Sequence, residues 1–471
     1  MAQYGSDCIF GSLSADVHMA EGRARYMRSA SWRRVAAVAV PLLPAISCAL
    51  PKPLVVTTPP AVEASSRVSF HDVPRAAVRF YDTFWNALSD MNLQSAWIIA
   101  ETSDQRRLSD AIEAFLDGKP EEADSLVVPL LSAHERQVRT AARITYGAML
   151  AASGDWPRLA AYADSAKRES REARDAAGVE TWAPAFKNVT TNLTFSAPMS
   201  SVPLSRSMTG VAMIPVIVNG VKRHFWLDTG SSITILTADV AHASSITGIG
   251  GDTLELVSSV GRLATRAAVI HTLQLGGVTV TNAPAMIVSN EALEVRETDT
   301  GMPPQPIDGV IGFDLIRLLD LTIDDMGGKV VIRKPIPQPG DSKQHPRNLT
   351  WFGVPIVTLL SEDGAAVHML LDTGAEETFG TPGMARKSKA HWREAERRTV
   401  QGFGGTTTES GIVIPSVRLF LGNVPLSFER IFLYDAKYPT IFSLDGTLGA
   451  DVGRGGAVRI DMTNGRIDVS G

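Results

Sequence analysis

Cysteine is nearly absent from this 471-residue chain. Its two cysteines, Cys8 and Cys48, both sit near the N-terminus. No disulfide framework can therefore hold the body of the protein, and no thiolate metal site can form in it. The nine histidines are scattered, without H-E-x-x-H or a comparable spacing, so no metal is expected. A basic stripe is missing as well. The 45 Lys and Arg are mixed with 50 Asp and Glu for a net charge of −5, which argues against nucleic acid as a partner. No nucleotide motif is present, so no cofactor is expected. The apolar run from Val35 to Ser47 is too short, and too rich in proline, to span a bilayer comfortably.

What that run does have is Arg33 and Arg34 ahead of it. Positive residues before a short apolar core are the anatomy of an export signal, so the chain is expected in the periplasm or cell envelope. The run closes as Ala-Ile-Ser-Cys, which resembles the bacterial lipobox. Cys48 is thus a lipidation candidate, and a lipid anchor to a membrane is an expectation. The alternative is plain signal cleavage nearby, with Cys48 incidental. On this reading residues 1–48 form the export segment, and the Pro/Thr-rich residues 49–70 form an extended tether.

Residues 71–183 take a helical period, with Val73, Ala77, Phe80, Tyr81, Phe84 and Leu88 mostly at steps of three and four. Gly118 followed by Pro120, and Gly154 followed by Pro157, mark two helix–turn–helix junctions. Their spacing is close to the period of tetratricopeptide-type hairpins, so the region reads as TPR-like, with a plain helical bundle as the alternative. It holds no catalytic constellation. By analogy of fold alone, it either docks a protein partner or braces the C-terminal region.

From about Thr190 the chain is rich in β-branched residues and glycine. Two halves then run in the same order, 205–337 and 348–471. Each has a hairpin into Asp-Thr-Gly ("FWLDTGSS" at Asp228, "MLLDTGAE" at Asp372), a long β-rich middle, and an Asp-Gly-x-x-Gly-x-Asp segment. Each closes with another hairpin. The turns entering the motifs are Asn219-Gly220 and Asp363-Gly364. This is an internal repeat of about 140 residues.

The repeated Asp-Thr-Gly-[Ser/Ala], with the later apolar-apolar-Gly segments at Val310-Ile311-Gly312 and Thr447-Leu448-Gly449, resembles the retropepsin/pepsin clan of aspartic peptidases. Bacterial retropepsin-like proteins with two such domains in one chain are the nearest likeness, over roughly residues 205–471. The resemblance implies two all-β acid protease lobes after the helical region. It implies an aspartic endopeptidase acting on a peptide or protein substrate, with Asp228 and Asp372 as the catalytic pair. Two carboxylates held too close to ionise together share one proton and activate water between them. Thr229 and Thr373 are expected to hydrogen-bond across the lobes, and Gly230 and Gly374 to let the loops approach. Gly312 and Gly449 are expected to pack behind the loops. Ser231 is expected to donate its hydroxyl to Asp228, making Asp228 the ionised member and Asp372 the proton holder. Glu376 and Glu377 are expected to point outward. Gly402, Gly404 and Gly405 look like the tip of the family's flap, and Gly248, Gly250 and Gly251 are a weaker candidate.

Other readings remain. The lobes could pair with their copies in another chain. The departures Ala375-Glu376 and Thr447 could mark a drifted peptide-binding scaffold. Two simple Asp-Thr-Gly turns are disfavoured by the matched order of the halves.

Overall fold

A computed structural model describes residues 80–168, 182–251, 253–258, 260–295, 303–338, 347–390 and 394–470. The expected export segment and tether, Cys48 included, lie outside them.

Six helices come first: α1 (Phe84–Ser89), α2 (Leu93–Ile99), α3 (Ser103–Leu116), α4 (Pro120–Val127), α5 (Arg136–Ser153) and α6 (Trp156–Arg168). The first three begin where a short polar side chain takes an orphan backbone N–H: Thr83 from Asn86, Asn92 from Ser95, Thr102 from Gln105. Pro120 opens α4 with Glu121 and Glu122 in its first turn. Gly154 stops α5 in the left-handed region, where a Cβ would be strained. Helices α3 and α5 have 14 and 18 residues, so successive helical pairs are unequal.

The apolar faces of these helices are not free. Phe84, Leu88, Leu108, Ile112 and Val138 share one core with Phe352, Val354, Ile356, Phe442 and Leu444 of the second β lobe. Burying this face against the lobe supplies the main attraction between them, and it makes the helical region a brace.

The β region has two lobes and a joining sheet. In the first lobe a nine-stranded sheet contains the hairpin Ala212–Val218 and Val221–Leu227. Its two-residue turn is Asn219 and Gly220, both at positive φ, as such a turn requires. In the second lobe an eight-stranded sheet contains Pro355–Ser361 and Ala366–Leu371. Here the turn is longer, and the Ser361 N–H closes it by donating to Ala365 O at 2.8 Å. Asp363-Gly364 therefore sits inside a wider loop and is not a two-residue hairpin.

A five-stranded sheet joins the lobes. Its central pairing sets Asp320–Asp324 of the first lobe against Ala457–Asp461 of the second. Arg459 forks onto Asp320 through Nε and Nη2, both at 2.8 Å. The two lobes thus pair with one another within this chain. Two strands ahead of residue 205 belong to this β region: Asn192–Phe195 pairs with the first lobe, and Met199–Pro203 edges the joining sheet.

A buried ion cluster also fastens α1 to the second lobe. Lys387 Nζ lies 2.8 Å from Asp445 Oδ2 and 2.5 Å from Asp90 Oδ1. Burial works against the charge of Asp90, but Lys387 and the Tyr81 hydroxyl outweigh it and hold the carboxyl below its usual range. Removing the ammonium leaves the buried Asp445 carboxyl facing the half-buried Asp90 without the cation between them. Lys387→Met is expected to cost about 3–5 kcal/mol in chemical denaturation. A loss under about 1 kcal/mol, the scale of an exposed pair, would contradict this account of the cluster.

Candidate active site

Asp228 leaves the strand Val221–Leu227, and Asp372 leaves Ala366–Leu371. Leu227 and Leu371, one residue earlier, are buried and anchor both loops. Beside each runs a short parallel strand, Gly309–Ile311 or Gly446–Leu448. Ile311 O accepts the Asp228 N–H at 3.1 Å, and Leu448 O accepts the Asp372 N–H at 3.0 Å. Gly312 and Gly449 come directly after these strands. A Cβ on Gly312 would come within 2.6 Å of Ile233 O, and one on Gly449 within 2.7 Å of Glu377 O. Only glycine lets these segments lie so close behind the loops.

The two loops interlock by reciprocal hydrogen bonds. Thr229 N–H donates to Thr373 Oγ1 at 3.1 Å, and Thr373 N–H to Thr229 Oγ1 at 3.0 Å. Each hydroxyl then donates to the other lobe: Thr229 Oγ1 to Leu371 O at 2.7 Å, Thr373 Oγ1 to Leu227 O at 2.8 Å. Both threonines are buried, so each donor left unpaired would carry a full desolvation cost.

This lattice brings the carboxyls together. A Cβ on Gly230 would lie 2.6 Å from both carboxyl oxygens of Asp372, and one on Gly374 2.6 Å from Asp228 Oδ2. Each aspartate is seated on the bare glycine of the opposite loop. The carboxyls hydrogen-bond to one another. Burial, then the Asp372 charge, pushes Asp228 well above the ordinary carboxyl range. Burial raises Asp372 too, but the hydrogen bond from Asp228 and backbone N–H groups oppose it. Among these, Gly374 and Ala375 donate to Asp372 Oδ1 at 2.9 and 3.1 Å.

The expected hydroxyl donor to Asp228 is not found. Ser231 does not give its hydroxyl to Asp228; it donates to Ile233 O at 2.8 Å. Only its backbone N–H reaches Asp228 Oδ1, at 3.0 Å. Burial raises both carboxyls above the ordinary range, and the pair titrates as a unit. A serine hydroxyl stands out in the sequence, whereas the backbone N–H of Ala375 does not.

Glu376 and Glu377 are exposed, with Glu377 3.6 Å from Arg398. Thr447 is buried and shares a 3.1 Å hydrogen bond with the Tyr438 hydroxyl, so its polar atom is partnered. Gly402 and Gly405 pair across the turn of a long hairpin, Glu394–Gly402 with Gly405–Leu421, whose tip is Phe403-Gly404. The corresponding first-lobe hairpin, Leu254–Val257 with Arg262–Leu275, turns at 258–261. Gly248, the weaker candidate, instead bridges to Ala268, outside that tip.

A second aspartate in each Asp-Gly-x-x-Gly-x-Asp segment went unassigned in sequence, although its repetition was the available signal. Thr234 Oγ1 takes the Gly312 N–H at 3.3 Å and donates to Asp314 Oδ1 at 3.0 Å. Thr378 takes the Gly449 N–H at 3.0 Å and donates to Asp451 Oδ1 at 2.6 Å. The same clamp thus holds both loops from behind.

These paired loops on two β lobes define an aspartic protease fold. Residues 214–315, within the first lobe, match the model of a family described as aspartyl protease. Among solved structures the chain is similar to a retropepsin-like aspartic protease from Rickettsia conorii, at 18% identity and a TM-score of 0.19. That match covers 31% of this chain and 94% of the other. It is also similar to the aspartic proteinase from Irpex lacteus, at 13% identity and a TM-score of 0.35, over 57% of this chain and 96% of that one. No curated protein matches it in sequence.

Burial raises the Asp314 carboxyl to about 7, and its Oδ2 has no partner among the described residues. An acid raised in the folded state favours folding while protonated. Its contribution is full below the ordinary carboxyl range and is lost as pH rises through about 7. Asp314→Asn keeps the Oδ1 acceptor and cannot ionise. Its Tm should gain on the wild type as pH is raised across that window; parallel Tm curves would contradict the buried-acid assignment.

Proposed function

We propose that the protein is an aspartic endopeptidase, with Asp228 and Asp372 as its catalytic pair. The observation that carries this reading is the reciprocal threonine lattice, which presses the buried Asp228 carboxyl and the half-buried Asp372 carboxyl together, close enough to share a proton. In the proposed reaction the Asp372 carboxylate takes a proton from water, whose oxygen attacks the peptide carbonyl carbon. Protonated Asp228 hydrogen-bonds the carbonyl oxygen and stabilises its developing charge. The C–N bond then breaks as the nitrogen receives a proton from the pair, releasing an acid and an amine. An extended peptide would lie in the cleft between the lobes, held by strand-like backbone hydrogen bonds. The scaffold reading loses its motive, since Ala375 supplies a backbone donor and Thr447 is hydrogen-bonded.

The proposal includes export to the periplasm or cell envelope, resting on Arg33, Arg34 and the apolar run after them. Cell fractionation tests this, with Cys48→Ser separating an anchored from a released form. A cytoplasmic wild type would overturn the export reading.

Cleavage of a peptide library by the purified protein tests the chemistry. Asp228→Asn and Asp372→Asn should each lower kcat by about 10²–10⁴-fold while the fold is retained. Turnover persisting in both variants would reject the assignment. Because the Ser231 hydroxyl turns to Ile233, Ser231→Ala should leave the acidic limb of the pH–rate profile in place. A clear shift of that limb would return the hydroxyl to Asp228.

A further inference from the structure

Five places after each packing glycine stands an arginine, Arg317 after Gly312 and Arg454 after Gly449. The two take different partners. Arg454 donates to Glu376 O at 3.1 Å, within the aspartate loop of its own lobe. Arg317 turns away from its loop. Its Nη1 donates to Ala152 O at 2.7 Å, in the last turn of α5, where a cation also meets the negative end of the helix. The Arg317 guanidinium carbon lies 5.3 Å from the ring centroid of Trp351, in a strand of the second lobe. Gly154, which ends α5, makes room for it: a Cβ there would lie 2.5 Å from Arg317 Nη2. Burial lowers the Arg317 side chain to about 10, with the Asp314 charge opposing, so it stays a cation at neutral pH.

From Arg317 the path to Asp228 is short. The one-turn helix Phe313–Ile316 joins it to Gly312. Phe313 N–H donates to Ser231 O at 2.7 Å, and Ser231 N–H donates to Asp228 Oδ1 at 3.0 Å. The residue that donates to the Asp228 carboxyl is thus gripped by the segment that Arg317 pins to the helices. Phe313 also packs edge-on against Trp351, with ring centroids 5.7 Å apart. We propose that Arg317 is a positioning residue for Asp228, and that the end of α5 sets the geometry of the carboxyl pair through it. The second loop has equivalent backbone bonds, Ala450 N–H to Ala375 O at 2.8 Å and Ala375 N–H to Asp372 Oδ1 at 3.1 Å. Its arginine, however, closes on its own loop. Loosening the contact between α5 and Arg317 therefore slackens the first loop and spares the second.

This inference rests on the peptidase reading, so its test has one arm with turnover and one without. In peptide cleavage by the full-length protein, Arg317→Met keeps the apolar stem and removes the donor and the charge. It should lower kcat by about 10–100-fold, the scale of a small misplacement of reacting groups, and leave KM within about two-fold. Arg317→Lys, which can still donate to Ala152 O, should recover most of that loss. Gly154→Ala alters only the helical region, and its Cβ displaces the guanidinium. It should reproduce the loss, and the double variant should be no slower than Arg317→Met. The second arm reads amide hydrogen exchange. Arg317→Met should speed exchange in residues 229–234 and 312–317 and leave 373–378 at the wild-type rate. The Tm of each variant is read beside the wild type. If Arg317→Met does not fold, Gly154→Ala set against Arg317→Lys decides by the same criteria. An unchanged kcat, a loss confined to KM, additive losses in the double variant, or equal exchange gains in both loops would overturn the proposal. No cleavage by the wild type would reject the peptidase reading, and the exchange pattern would still decide the role of Arg317.

Discussion

Everything at the centre of this protein depends on four hydrogen bonds between two threonines and two carbonyls. Thr229 and Thr373 each donate a backbone N–H to the other's hydroxyl, and each hydroxyl donates to the carbonyl of the residue before the opposite aspartate. Neither loop can satisfy its buried donors alone. The lattice therefore fixes both loops in one geometry, and that geometry leaves no room for a side chain at Gly230 or Gly374. The carboxyls seated on those glycines are too close to be charged together. In the proposed function, proton sharing is thus a consequence of packing.

The rest of the chain holds that arrangement from three sides. Behind the loops, Thr234–Asp314 and Thr378–Asp451 clamp the two glycine segments. Beneath them, the five-stranded sheet and the Arg459–Asp320 fork tie lobe to lobe. Beside the second lobe, the helices contribute most of a shared core and the Asp90 carboxylate that pairs with Lys387. The first lobe meets the helices through other residues, Arg317 donating to Ala152 O at 2.7 Å. Two lobes built alike are thus supported differently, and this extends to the cleft, where one long hairpin from the second lobe covers the first.

Much of this was legible in the sequence for a physical reason. The aspartate loops, the apolar residues ahead of them and the glycine segments are local patterns, and their repetition in the same order marked two equivalent lobes. The helix ends at Gly118 and Gly154 were legible because glycine at positive φ is a local signal. What escaped was set by contacts distant in sequence. Ser231 and Ala375 suggested an asymmetry of hydroxyls, but the fold turned one hydroxyl to Ile233 and offered backbone N–H groups, which nearly every residue carries. Thr447 looked like drift because Tyr438, its partner, lies in an irregular segment without a motif. The contact of Phe403 with Trp226 joins residues from different lobes, and no spacing rule connects them.

The most direct test of shared protonation is carbon-13 NMR of labelled aspartate side chains, read across a pH titration. The account predicts that the Asp228 and Asp372 carboxyl signals move together in two well-separated steps, the upper one above the ordinary carboxyl range. Two independent single transitions within that range would contradict it.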